Sequence, residues 1–315
     1  MPEAGLRKSS ARTKAAVVCF GMVVPAIVLV VDEFPEQNTG ALVRGSAEFI
    51  SDDAAIVACL LRGWNVRSGL IGTTLGDDVR GRQAARELRR LGVLGRTRLS
   101  KSMSTPYEVN VSDRTGRRTY FWQRPPEILE TLDSAPLGLL RGARFLYVDW
   151  YDGKHVLRAM DQAARWGVPV FLNFEHAHQD ADLLALYAPR TTLCQATTDP
   201  AQREGDPVAV ACMLLDAGIE YAFVTLGSDG CIAASRGEIL RVFAPSVSVV
   251  DGCGAGATFS AGIMYGYLRH WNLQEMTKFA IAAASLKCTV VGPRAFPLAL
   301  VKGLAKSIRV EHLQL

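Results

Sequence analysis

Asp251-Gly252-Cys253-Gly254-Ala255-Gly256-Ala257-Thr258-Phe259 decides the reading of this chain. A strand-like run, Val247 to Val250, leads into it, and an apolar helix from Thr258 to Leu268 leads out. Glycines between a strand and a helix let backbone N–H groups crowd toward one point, and the helix N-terminus adds the positive end of its dipole. That is a cradle for phosphate.

Working outward, strands and helices alternate. Extended segments are expected at Ala15–Gly21, Ile27–Phe34, Gly40–Phe49, Val66–Thr73, Phe145–Trp150, Val168–Phe174, Thr192–Thr197, Tyr221–Leu226 and Val247–Asp251. Helices are expected at Asp53–Gly63, Asp77–Leu91, His155–Trp166, Pro207–Ala217, Thr258–Leu268 and Leu273–Cys288. Asp77–Leu91 sets Val79, Ala84, Ala85 and Leu88 against Arg80, Arg82, Arg86, Arg89 and Arg90, the pattern of a solvated arginine face. Thr105–Ser112 and Arg117–Gln123 flank Asp113-Arg114-Thr115-Gly116 as a hairpin with aromatic residues Tyr120, Phe121 and Trp122 on its second arm. The alternation predicts an α/β fold, a doubly wound and mainly parallel sheet with helices on both faces. Segments near 27–49 and 105–123 lack helical partners and should form a small β-sheet lid over the carboxyl ends of the main strands, where ligands bind in such sheets.

The 315 residues allow one large α/β domain over 15–315 behind a disordered tail, residues 1–14. A net charge of +4 with scattered arginines gives no nucleic-acid surface. Seven cysteines (19, 59, 194, 212, 231, 253 and 288) have no metal-ligand spacing and read as reduced thiols of a cytoplasmic protein. Ala15–Val31 is an uncharged apolar run behind a basic tail, but Gly21, Pro25 and its many valines favour two buried strands joined by a bend over a membrane span.

The opening stretch resembles the Asp-Thr-x-Gly-Ala-Gly-Asp signature of the PfkB (ribokinase-like) carbohydrate kinases. Leu75-Gly76-Asp77-Asp78-Val79-Arg80-Gly81 is similar to that family's Gly-Asp-Asp-x-x-Gly turn, and Thr225-Leu226-Gly227-Ser228-Asp229-Gly230 to its Thr-Leu-Gly-x-x-Gly turn beside the nucleotide. Ala282 to Thr289, followed by Gly292 and Pro297, resembles the helix and loop that wall the adenine pocket, and Val31-Asp32-Glu33-Phe34-Pro35 resembles the entry to the first lid strand. The resemblance runs from about 15 to 300 and implies ATP, Mg²⁺ and phosphoryl transfer to a sugar or related alcohol. It implies an anion hole at Gly254, Ala255 and Gly256, and nucleotide contacts at Thr225, Gly227, Gly230, Asp251, Ala284 and Cys288. For Asp251, bracing the glycine turn stands beside a magnesium or phosphate role. Ala196-Thr197-Thr198-Asp199-Pro200 replaces the usual Asn-x-x-Glu and, with the 105–124 hairpin, is similar to the ketohexokinase branch. Dimers through the lid are a family expectation.

The departures fall on the acceptor. The family's catalytic base, the last Asp of the signature, is Ala257 here, and alanine accepts no proton. The sugar-binding Asp is Ala26, and the Gly-Gly pair and Asn that let a sugar approach align without a gap to Phe49, Ile50 and Ala54; a gapped alignment would use Gly45. The chain therefore reads as an impaired kinase or as a nucleotide-binding pseudokinase, with Ala257 either natural or an engineered knockout. A base supplied elsewhere stays open, with Asp52, Asp53, Asp149, Asp152, Glu175 and His176 near strand ends as candidates whose default roles are surface or capping ones. Glu175-His176-Ala177-His178 offers two alternate imidazoles but no third metal ligand, so solvated loop histidines are expected.

Overall fold

A computed structural model describes residues 14–115, 117–197 and 205–314. Its strands are β1 (Val17–Gly21), β2 (Val24–Val31), β3 (Val43–Ser51), β4 (Ser68–Gly72), β5 (Leu75–Gly76), β6 (Leu99–Ser100), β7 (Tyr107–Ser112), β8 (Arg118–Gln123), β9 (Phe145–Asp149), β10 (Val170–Glu175), β11 (Leu193–Thr197), β12 (Tyr221–Thr225), β13 (Cys231–Ser235), β14 (Glu238–Val242) and β15 (Val310–Leu313). Its α-helices are α1 (Asp53–Gly63), α2 (Val79–Arg90), α3 (Leu157–Arg165), α4 (Ala181–Tyr187), α5 (Pro207–Asp216), α6 (Ala255–Tyr267), α7 (Leu273–Cys288) and α8 (Leu298–Ser307).

Nine strands make the main sheet, in the order β15-β14-β13-β12-β11-β10-β9-β1-β4. The six from β12 to β4 run parallel, and β13, β14 and β15 complete it antiparallel. Period-2 alternation feeds two cores. Val17, Cys19, Phe145, Tyr147 and Phe171 face α1, α6 and α7, while Val18, Phe20, Leu146, Val148 and Leu172 face α3 and α5. Trp64, just past α1, stacks edge-on against Tyr265 of α6 and Phe279 of α7 with centroids 5.6 and 5.4 Å away, and its indole N–H donates to the Phe296 carbonyl at 3.0 Å. Truncating so large a buried ring costs about 3–5 kcal/mol; here it locks the end of α1 to the end of α6 and to α7. The lid is a second, four-stranded sheet, β3-β2-β7-β8.

The doubly wound fold with a β lid is as expected, and so is the arginine face of α2, which is exposed. Val79 is not part of the apolar side of that helix; it sits in the first turn, 70% exposed. Val247–Val250 is not a strand. It runs extended without sheet pairing, fastened by the Val250 and Asp251 N–H groups donating to the Cys288 carbonyl at 2.8 and 3.2 Å. The ladder it was expected to join is filled by the β13–β14 hairpin, whose two-residue Arg236-Gly237 turn between alternating apolar runs is a readable signal. Ala15–Val31 forms β1 and the lid strand β2, and among the described residues no helix is long and apolar enough to cross a membrane.

Candidate active site

The glycine turn is held by a finished electrostatic joint. Asp251 is fully buried; its Oδ1 accepts from Ser112 Oγ at 2.7 Å and the Cys253 N–H at 2.9 Å, and its Oδ2 accepts from Lys287 Nζ at 3.0 Å and the Gly292 N–H at 2.8 Å. Lys287 is equally buried and also donates to the Asp251 carbonyl at 2.6 Å. Burial raises the Asp251 pKa, but the Lys287 charge and the hydrogen bonds outweigh it, so the carboxyl lies below its usual range. Both oxygens are engaged, which supports the bracing role over contact with magnesium or phosphate. Gly254 follows with φ +75°, a conformation that glycine adopts freely, and begins α6 with no side-chain cap. The N–H groups of the first turn of α6 are thus presented outward, at the carboxyl edge of the parallel strands.

At the positions expected to border a nucleotide, Thr225 ends β12 and Gly227 and Gly230 turn the chain into β13, both with positive φ. A Cβ on Gly230 would collide with the Val242 carbonyl, so this turn and the following hairpin fit only with glycine there. Ala284 and Cys288 lie half-buried on α7, and the Cys288 carbonyl is the anchor of the segment before Asp251. Thr198, Asp199 and Pro200, part of the expected Asn-x-x-Glu replacement, fall outside the described residues.

The positions expected to meet the acceptor are apolar. Ala26 and Phe49 are direct cross-strand partners in the lid. Ala54 and Ala257 are each 1% exposed and belong to the same core, against which Phe49 packs.

Next to them lies a group of carboxylates. Asp52 caps α1 through the Asp53 N–H at 3.0 Å, and Asp53 is the first helical residue. Asp149 ends β9 and accepts from the Tyr151 N–H at 2.9 Å, while Asp152 folds back over Gly21 and accepts from the Met22 N–H at 3.2 Å. Asn173 of β10 donates through Nδ2 to Asp149 Oδ2 at 2.7 Å and Asp53 Oδ2 at 3.2 Å. Glu175 closes β10 with φ +45°. Asp149 and Asp152 are buried rather than on the surface, and Asp149 takes the capping alternative, at the start of the short helix after β9. Burial pushes them all up, and neighbouring carboxylates add to it for the aspartates: Asp53 to about 8, Asp149 and Asp152 well above the carboxylate range, and Asp52 upward against the pull of Arg124; Glu175 is raised by burial alone, against His176 and its hydrogen bonds. Arg124, from the end of the lid hairpin, reaches Glu108 at 3.1 Å and Asp52 at 3.6 Å, and Arg118 Nη1 reaches the Gly252 carbonyl at 3.4 Å. His178 is buried rather than solvated, with Nδ1 2.7 Å from the Glu175 carbonyl. Among the described residues no group of three or more His, Cys, Asp or Glu side chains could hold a metal ion.

A polar row ties the two sides. Asp149, Asn173 and Gln195 are register partners on β9, β10 and β11. Gln195 accepts from Ser260 Oγ of α6 at 2.7 Å and points Nε2 at the Gly256 carbonyl, 3.5 Å away. Sequence reading missed Glu108, Arg118, Arg124, Asn173, Gln195 and Lys287. For Lys287, a lone lysine in the apolar run Phe279 to Cys288 was the available signal; the others sit in ordinary strands or, for Arg124, just past one.

The comparisons agree with this architecture. The pfkB family carbohydrate kinase family matches residues 14–299, and the chain belongs to that family. It is 30% identical to a 1-phosphofructokinase of Haloferax volcanii over 142 residues, 44% of this chain and 47% of that one. It is 27% identical to an acarbose 7(IV)-phosphotransferase of Actinoplanes sp. over 232 residues, 70% of this chain and 74% of that one. The first curated relatives are matched over less than half of their length. The crystal structure of ribokinase from Thermotoga maritima superposes with a TM-score of 0.73 at 17% identity, covering 93% of this chain and 100% of the other.

Proposed function

We propose that the chain is an ATP-dependent phosphotransferase of the sugar-kinase type, acting on a sugar or related alcohol, whose turnover is slowed by the alanine at 257. The observation that supports this best is the uncapped start of α6 behind Gly254, braced by Asp251 and bordered by the lid residues Ser112 and Arg118. Gly254, Ala255 and Gly256 would meet the charge of the transferring phosphoryl group, and positioning and electrostatics carry much of such a reaction. Nucleotide would lie beside Thr225, Gly227, Gly230, Ala284 and Cys288. Mg²⁺ would arrive on the nucleotide phosphates and neutralise their charge there, since the described side chains build no cage for it. Within the family we place the chain near the ketohexokinase branch, on the replaced motif at 196–200, and a second copy on β8, whose Phe121 and Trp122 are exposed on the lid edge.

The apolar fill of Ala26, Phe49, Ala54 and Ala257 favours a second reading, a pseudokinase that holds nucleotide without turnover. Calorimetry with ADP and ATP, followed by ADP release over a panel of sugars and nucleosides, separates the two. Absence of nucleotide binding sinks both. Binding with slow release, accelerated about 10²-fold by Ala257→Asp, supports the kinase. Binding without release in either form leaves the pseudokinase.

A further inference from the structure

The carboxylates beside the glycine turn are more numerous than the cations that face them. Asp52 and Glu108 share Arg124. Among the described residues no Lys or Arg nitrogen comes within the 4.0 Å of an ion pair to Asp53, Asp149, Asp152 or Glu175. A buried carboxylate without a partner is costly, and a protein keeps such a group where a ligand completes it.

Two further groups point to the ligand. The Tyr147 hydroxyl, two residues before Asp149 on the same face of β9, is fully buried and has no hydrogen-bond partner. Asn173, 1% exposed, spends its Nδ2 on Asp53 and Asp149 and leaves Oδ1 without a partner. In their ionised form, with Asn173's donor occupied, Asp53, Asp149 and Asn173 offer only acceptors, and a cation bound there would lower the raised carboxyl pKa values and hold the ionised form. An ammonium is the complement, since it brings donors, carries positive charge and accepts nothing. The carboxylates do not converge closely enough for a metal ion, but Asp53 and Asp149 both reach one amide, a spacing suited to a larger cation.

Position supplies the rest. From Asp149 through Asn173 to Gln195 is two inter-strand steps, about 10 Å, and Gln195 already touches the Gly256 carbonyl at 3.5 Å. A single sugar-sized molecule bound at one end reaches the phosphate cradle at the other. Resting on the kinase reading above, we propose that Asp53, Asp149 and Asn173 bind the ammonium group of an aminated sugar or aminated polyol and turn one of its hydroxyls toward Gly254–Gly256. This also accounts for Ala26, Phe49 and Ala54. An acceptor recognised through its amine does not need the hydroxyl partners that those positions have lost.

The test titrates the full chain, with ADP and Mg²⁺ present, with glucosamine, galactosamine and mannosamine, with their neutral parent sugars and with their N-acetyl derivatives, all at pH 7. At least one amine should bind about 10-fold or more tightly than its parent and its N-acetyl form. Asp149→Asn should reduce that preference to less than about 2-fold while ADP affinity stays unchanged, with Asp53→Asn as a second variant should Asp149→Asn fail to fold. No preference among the three amines, or a preference that survives both substitutions, overturns the proposal. An equal response to spermidine overturns the sugar part of it. ADP is titrated first and alone. Failure there removes the kinase reading, whereas ADP binding without amine preference removes only this inference.

Discussion

Two carboxylate sites, one in the glycine turn and one at the ends of β9, β10 and the start of α1, are built on opposite terms. Asp251 has a lysine, a hydroxyl and two backbone N–H groups on its two oxygens, and its pKa is lowered. Asp53, Asp149 and Asp152 crowd one another with one shared amide and a few backbone donors, and their pKa values are raised. The first is a completed structural joint. The second is held together by the fold at a cost in stability, which marks it as the part that meets something else.

Breaking the completed joint should have the largest effect. Lys287→Ala leaves Asp251 buried and unpaired and should cost about 3–5 kcal/mol in urea unfolding; a loss below 1 kcal/mol would mean the pair is not holding the turn. Gly230→Ala, which forces a Cβ onto the Val242 carbonyl at φ +96°, should cost about 2 kcal/mol and weaken ADP binding in the same calorimetric titration. The smallest effect has the opposite sign. The folded state keeps Asp53 protonated up to about 8, whereas the unfolded chain ionises it near its ordinary value. Protons are therefore held more tightly by the folded form across that window, and stability falls as pH rises through it. Asp53→Asn removes this loss. Discounted for a partly exposed group, it should stabilise the protein by about 1 kcal/mol at pH 8.5 and leave it nearly unchanged at pH 4, read as the difference in unfolding midpoints; equal shifts at both pH values would show that Asp53 does not carry the raised proton affinity.

The two sites also differ in how visible they were in the amino-acid order. The glycine turn is contiguous, so nine residues announce it, and the alternation of strands and helices announces the sheet. Val247–Val250 misled because apolar β-branched residues fit an extended stretch whether or not a neighbouring strand is present to pair with it. The acid site was legible only as scattered candidates. Asp53, Asp149, Asp152 and Glu175 come from three separate places, the start of α1, the end of β9 and the end of β10, and what gathers them is sheet register and the packing of α1 on the sheet. Asn173, which bridges two of them, is an ordinary residue in an apolar strand until its partners on β9 and α1 are known.

The Asp251 joint sets an order of events during synthesis. Ser112 has long left the ribosome when Asp251 appears, but Lys287 and Gly292 follow it by 36 and 41 residues. Until they emerge, closing the glycine turn would bury a bare carboxylate. The parallel strands through β12 can form beforehand, so the glycine turn is among the last features to be set, and a chain stopped before Lys287 carries most of the sheet and no braced turn.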